Sequence, residues 1–579
     1  MTRIALSERV RVAVVRAQGL RRQAAANIAQ SRFVRWRHGR GTLGQLVIAP
    51  QNLRTCDPSF WAEIESGSFG LSGNTARLNG RSPFELTSHG AAWQSSLHGF
   101  SWLRHLEAAG ETNAQSSARK YVLDWLAHAR YQRGVAGDPA VRARRILSWI
   151  THAPFLLDGA NTAEFDAIGR GIAREVTMLQ ATWRNAGEGY ARLVALTALV
   201  VAHLAVTGRE RLLESTLRLF VAEIERQIHS DGGHVSRSPA TLVDLLLDWL
   251  PLKSCFDTRG LSAPDGFSIA VARMLVMLRY LRLGDGAVAR FNGTGLGDPA
   301  ALAILAAYDD RPLPAWGVAP QSKYARIDCG AAILILDAGS PPPLAMSGQA
   351  HAGCLAFEMS TGHALLFVNA GAPSAVDSDW RAVSRATASH STVCLGETSS
   401  SRLVRNAALE AMLGAVPMQL PANVATHMEF SDAEHVFQGS HDGYLQRLGL
   451  IHERELRLAT NGKVLRGCDR LRTKAHDRLR RDVPFAIHFH LHPDTTCEPW
   501  QGTAGGGEPG IVIRLRNGQR WLFRATGAAT AIEESIFFTG SSGPRPSLQI
   551  VLRGACGGTA DVSWQVGLDE TNPVNTPVR

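Results

Sequence analysis

Between about Ser95 and Tyr308, apolar side chains recur every three to four residues. Leu213, Leu217, Phe220, Val221, Ile224 and Ile228 fall on one helical stripe. The same period predicts helices over Val122 to Ala129, Ile146 to Ile150, Ile168 to Leu179, Leu193 to Leu204, Leu242 to Leu250 and Ile269 to Leu283. Breakers such as Gly134-Val-Ala-Gly137-Asp-Pro139 and Ser230-Asp-Gly-Gly233 separate them, so paired antiparallel helices follow. After the proline-rich stretch from Asp309 to Pro320 the period changes. Strand-like runs stand at 331–336, 355–359, 364–368, 392–395, 448–458, 487–491, 511–515 and 548–552. With Gly, Pro, Ser and Asp clusters between them, these predict an antiparallel β-sandwich. The reading is α+β and multidomain: residues 1–90 an N-terminal arginine-rich helical segment and lead-in, 91–308 the helical domain, 309–321 the linker, 322–579 the sandwich.

A chain of 579 residues is long enough for two hydrophobic cores, and 45% hydrophobic with 19% charged residues is the composition of a folded chain. Its formal charge of +10 is carried almost wholly by arginine, whose planar forks suit carboxylates, sulfates and phosphates. That admits an acidic partner without requiring one, because solvated arginines account for the same total. No basic stretch is interleaved with aromatics in a recognised nucleic-acid module, and no P-loop, dinucleotide fingerprint or nucleophile elbow is present. The eight cysteines are scattered with no CxxC pair, which predicts free thiols. The longest apolar run, Leu193 to Val206, contains His203 and is too short to span a bilayer. Arginines interrupt the first 30 residues, leaving no apolar core of a secretory signal and predicting a cytoplasmic chain; the first 40 residues could form a basic amphipathic helix.

Three segments of the second half carry a family resemblance. They are Gln349-Ala-His351-Ala-Gly-Cys-Leu355-Ala-Phe357-Glu, Phe367-Val-Asn369-Ala-Gly371, and Arg385-Ala-Thr-Ala-Ser-His390-Ser-Thr-Val393. In order and spacing they resemble the heparinase II/III family of polysaccharide lyases. The resemblance implies an N-terminal (α/α) toroid of helical hairpins followed by the sandwich, and β-elimination on an acidic, uronate-containing polysaccharide. It also admits a periplasmic location. It places His351 and His390 on metal ligands of the zinc-containing members and Asn369 on the metal-binding aspartate, so His351, Asn369 and His390 are the candidate zinc site.

The departures are as informative as the matches. Gln349 stands on the family's catalytic histidine and Gly353 on an aspartate. Ser236 stands on a glutamate, Thr241 and Leu242 on the Tyr-His pair, and Gly187-Glu188 on the Asn-His segment. Thr241 cannot replace the tyrosine that serves the family as base and acid. By residue type, His234, Tyr280 and Gln349 are the candidate catalytic groups, and Arg237, Arg282, Arg290, Asn292 and Arg385 the candidate substrate ligands. The chain is therefore expected either to eliminate with a rebuilt apparatus or to be a catalytically impaired glycan-binding or scaffolding protein on the lyase fold. His488, His490 and His492 alternate on one strand and form a second candidate metal cluster, although same-face positions nearly 7 Å apart converge poorly on one ion.

Overall fold

The computed structural model describes residues 45–86, 89–373, 378–403, 417–474, 478–501, 509–540 and 543–570, with scattered positions between 10 and 25. The basic amphipathic helix read over the first 40 residues falls almost wholly outside the described residues. Helices run from Gly90–Gly99 to Pro299–Ala306, and strands from Tyr324–Cys329 to Thr559–Leu568.

Local chemistry sets the helix starts. Pro139 opens Pro139–Thr151 while the Asp138 carboxylate accepts the Ala140 and Val141 N–H groups. Asn161 and Glu164 form a reciprocal capping box at the head of Thr162–Thr182. Tyr190–Ala205 is buried at every position from Leu193 to Ala205, so it lies inside the toroid, with Pro139–Thr151 and Glu210–Gln227 packed against it. The lead-in also belongs to this layer: helix Ser59–Glu65 and the hairpin Ser68–Leu71/Asn74–Arg77 put Phe60, Trp61, Ile64 and Phe69 into the helical core.

Two sheets follow. The first has the strand order Ala529–Phe538, Pro544–Cys556, Val483–Leu491, Ala364–Val368, Phe357–Thr361, Ala332–Asp337, Tyr324–Cys329, with Val393–Leu395 also paired to Val483–Leu491. The second runs Val424–Phe430, Glu434–His441, Leu450–Ala459, Val464–Thr473, Thr559–Leu568, Arg520–Thr526, Gly510–Arg514, Thr496–Trp500. All their pairings are antiparallel.

The order of layers explains the burial patterns. Tyr324, Ile335, Ala356, Leu365, Val368 and Phe537 of the first sheet pack into the helical core, while its other face shares a core with the second sheet. Covered on both faces, Phe357–Thr361 is buried at every residue, whereas Leu450–Ala459 in the second sheet alternates strictly. The molecule is thus a toroid, an inner sheet and an outer sheet in three layers.

The helical core contains charge. Arg145, fully buried over the Trp125 ring, and Arg142 both donate to the Glu175 carboxylate, at 2.5 Å and 3.0 Å. Glu175→Ala strands two buried guanidinium groups and should cost about 3–5 kcal/mol. A urea-unfolding midpoint unchanged from wild type would show the triad to be dispensable.

Candidate functional site

The resemblance directs attention to the seam between the toroid and the inner sheet, and the structure brings most of the named segments there. A Cβ on Gly189, beside Glu188, would lie 3.6 Å from Met346. Gln349 is exposed and its side chain lies over Gly293, where a Cβ would come within 2.8 Å. The Ala240 N–H donates to Thr294 Oγ1 at 3.1 Å. Ser236 and Thr241 stand buried on the toroid side.

His234, expected to carry protons near neutral pH, is buried and committed. Its Nδ1 accepts the Ser236 N–H at 3.0 Å with the Ser236 hydroxyl 2.7 Å away, and its Nε2 lies 2.8 Å from Gln227 Oε1. Because a backbone N–H can only donate, the network assigns the proton to Nε2 and gives it to Gln227. Gln227 in turn donates to the Gly189 carbonyl at 3.1 Å and to Glu223. Burial pushes the imidazole down to about 3, so the ring stays neutral with its lone pair and its proton both spent.

Arg237, expected to meet a substrate carboxylate, instead binds the protein. Its guanidinium donates to Asp337 Oδ1 at 2.5 Å, to the Ser322 carbonyl at 2.9 Å and to the Ser340 carbonyl at 3.0 Å. Burial opposes its charge, but the Asp337 carboxylate outweighs burial and holds the cation. Asn292, in the left-handed region at φ 46°, donates to Asp337 Oδ2 at 3.2 Å and to the Tyr324 hydroxyl at 3.0 Å, and accepts the His351 N–H at 3.2 Å. Tyr324 donates to the Arg237 carbonyl. Close by, Asp231 accepts the Gln321 and Ser322 N–H groups and the Ser322 hydroxyl, at 2.8, 2.7 and 3.0 Å.

Tyr280, Arg282 and Arg385 are likewise engaged, and Arg290 is not. Tyr280, nearly inaccessible, donates its hydroxyl to the Gly317 carbonyl at 2.8 Å, and burial holds the phenol above its usual range. Arg282 donates to the Gly286 carbonyl at 2.8 Å, and Arg385 to the Gly348 carbonyl. Arg290 is buried over the Phe537 ring, 3.8 Å from Glu358, and none of its guanidinium nitrogens has a hydrogen-bond partner among the described residues. Of the eleven positions singled out by sequence, only Gln349 is exposed. Sequence reading missed Asp337 and Tyr324, whose partners are distant in the chain, and Gln227, which meets His234 across a turn. Asp231 lay within a quoted motif and was given no role.

On the sandwich side, His351 Nδ1 and His390 Nε2 are 3.1 Å apart. His390 Nδ1 donates to the Ala386 carbonyl at 2.8 Å, leaving Nε2 as acceptor, so His351 donates to it. Burial lowers both rings, His390 to about 4 and His351 well below its ordinary value. Asn369 spends its oxygen on the Ser391 N–H at 2.9 Å and turns a buried, unpartnered NH₂ the other way. Two imidazoles bonded to each other, with one amide oxygen that already accepts an N–H and no carboxylate, are a poor fit to the three or four protein ligands that zinc takes. Among the described residues no group of three His, Cys, Asp or Glu side chains could hold a metal ion. In the second cluster, His488 bonds Gln549 at 3.0 Å, while His490 bonds Ser535 at 2.7 Å and the Ala388 carbonyl at 2.9 Å. His492 accepts the Asp494 N–H at 3.3 Å, so each of the three histidines has separate partners. All eight cysteines are free, Cys56 exposed and Cys468 and Cys497 half-buried. No described helix is long and apolar enough to cross a membrane.

A toroid of paired helices docked on an antiparallel sandwich is the fold shared with heparinase III. The chain belongs to the heparinase II/III-like family: the heparinase II/III-like C-terminal domain matches residues 311–565. FtsZ-localized protein C of Caulobacter vibrioides is 30% identical over 515 residues, covering 88% of this chain and 87% of that one. Among solved structures, heparinase III superposes with a TM-score of 0.68 at 13% identity, covering 92% of this chain and 88% of that one. A mutant of the heparan sulfate lyase HepC of Pedobacter heparinus superposes with a TM-score of 0.60 at 15% identity, covering 96% and 90%.

The buried neutral histidines predict acid lability. In the unfolded chain each protonates near 6.5, whereas His390 resists to about 4 and His234 to about 3. Folded values below unfolded ones mean that their contribution is complete above pH 6.5 and is lost as pH falls toward 4. The urea midpoint should be flat above neutrality and decline below pH 6.5; a midpoint constant down to pH 4.5 contradicts the neutral assignment. Asp337→Ala, which leaves Arg237 buried and unpaired, should cost about 3–5 kcal/mol in the same measurement.

Proposed function

We propose that this protein uses the lyase fold without β-elimination, as a glycan-binding scaffold that works with the FtsZ-based division machinery. The observation that carries the first half is the state of the seam. Elimination beside a carboxylate needs a cation to neutralise it, a base to take the proton and an acid to return one. Arg237, His234 and Tyr280 each direct those capacities into the protein. The second half rests on the relative named for localisation with FtsZ, which aligns along nearly the whole chain. An acidic polysaccharide is the ligand class supported by the fold shared with a heparan sulfate lyase.

One observation favours an eliminating enzyme instead. Glu188 is a half-buried carboxylate at the seam, 3.6 Å from Arg226, on the second position of the segment that the resemblance reads as Asn-His. It is a base that a substrate could reach.

A panel of heparan sulfate, heparin, alginate and polygalacturonate assayed for unsaturated uronate separates the two readings. We expect no product from wild type. Product that disappears in Glu188→Gln would establish the lyase and overturn the scaffold reading. Co-sedimentation with FtsZ polymers is expected in the presence of GTP, and its absence would remove the division role.

A further inference from the structure

We propose that the outer face of the sandwich carries its own saccharide site, a groove across four strands that takes an oligosaccharide bearing carboxylate or sulfate groups. The proposal takes its ligand class from the glycan-binding reading above and its location from the strand register alone.

Strands Leu450–Ala459, Val464–Thr473, Thr559–Leu568 and Arg520–Thr526 are neighbours in the outer sheet. Alternation turns every second side chain of each to solvent. The register then aligns those side chains in rows across the strands. One row reads Arg457, Arg466, Gln565, Arg524. The next reads Glu455, Cys468, Ser563, Thr526. In the third, Arg470 stands between Glu453 and Asp561. A row of short side chains between rows of long ones is a trough, and a groove of about 470 Å³ lies there. That volume is within the range of small-ligand sites.

Four arginines and one glutamate line it. The carboxylate is already engaged: Glu455 accepts from Arg457 at 2.7 Å and from Gln438 at 2.8 Å. Arg457 is further tied to Glu434 at 2.7 Å. Arg466 and Arg470 are not held in this way. Arg466 is 55% exposed, with Glu434 3.7 Å away and the Gln565 oxygen at 3.3 Å. Arg470 reaches Asp561 and Glu455 only at 3.5 and 4.0 Å, because Asp561 is drawn to Arg472 at 2.5 Å. Arg524 lies over the Trp500 ring. Arg457 directly faces Arg466 in the register, a like-charge pair that Glu434 offsets unequally, at 2.7 Å from the first and 3.7 Å from the second. Guanidinium forks flanking a floor of small polar groups suit paired oxygens on a sugar ring.

Binding of a fluorescent heparin tetrasaccharide to the full chain tests this, with unsulfated oligogalacturonate and polyglutamate of matched charge as competitors. Arg466→Ala with Arg470→Ala is expected to weaken binding at least tenfold. Ser563→Trp fills the floor and keeps every charge, and is expected to weaken it comparably. Competition by oligogalacturonate would support recognition of carboxylate as well as sulfate. Failure of the wild type to bind overturns the site. Loss in the arginine variant but not in Ser563→Trp overturns it in favour of diffuse attraction, and polyglutamate competing as well as the sugars overturns it in favour of an acidic peptide. Unsaturated product from the polymer panel would instead refute the non-eliminating reading and leave groove binding standing.

Discussion

The arrangement of the molecule depends on one buried ion pair, Arg237 with Asp337, which joins the toroid to the inner sheet. Burying the two charges is affordable only because each finds further partners: backbone carbonyls for the guanidinium, and the Asn292 amide for the carboxylate. Those partners tie other segments together in turn. Asn292 also receives the His351 N–H, and Tyr324 caps the Arg237 carbonyl, so the loop carrying His351 and the strand Tyr324–Cys329 are registered to the same knot. Asp231 adds a second tie by accepting two backbone N–H groups where the sandwich begins. Geometry that places toroid and sandwich so firmly leaves the same groups unable to serve a ligand.

The helical half was legible because its signal is local. A helix with one buried stripe shows its period, as Glu210–Gln227 does, and each predicted helix overlaps an observed one, but several ends were missed: the reading from Val122 omits the first ten residues of Thr112–Ala127, and the one to Leu250 the last eight of Pro239–Thr258. The sandwich was legible in class but not in strand count. Val464–Thr473 escaped notice because Gly467 and Asp469 occupy inward positions: the glycine makes room for the Trp564 ring, and the aspartate is buried to receive Arg454, His452 and Trp564. Both choices break the apolar alternation that sequence reading relies on. The lead-in before residue 90 was underestimated because its helix and hairpin are short, and each is stable only against the toroid.

At the site, several of the quoted motifs lie along the seam, but they could not reveal its state. Whether an arginine is free depends on a partner far along the chain, and Asp337 lies 100 residues from Arg237. Residue type made Arg237 a carboxylate receptor. Its environment makes it a structural cation. His234 follows the same rule: Gln227 lies seven residues away, across the turn that brings the strand-like edge back to its helix.

The departures from the family pattern fit one another physically. Ser236 in place of a glutamate puts a small hydroxyl beside His234 Nδ1, and a longer acid would contest the space and the proton that the ring gives to Gln227. At Gly353 a Cβ would fall 2.8 Å from the His390 ring, so restoring the aspartate requires that ring to move and the His351–His390 hydrogen bond to break. Asn369 in place of an aspartate removes the anion that would otherwise raise both imidazoles and draw a cation to them. Each change withdraws a negative charge or a proton partner from the seam, and the histidines left behind are buried, neutral and bonded to the protein. Reverting any one of these positions alone would therefore place an unpaired carboxylate in a buried network, which makes the present set mutually dependent.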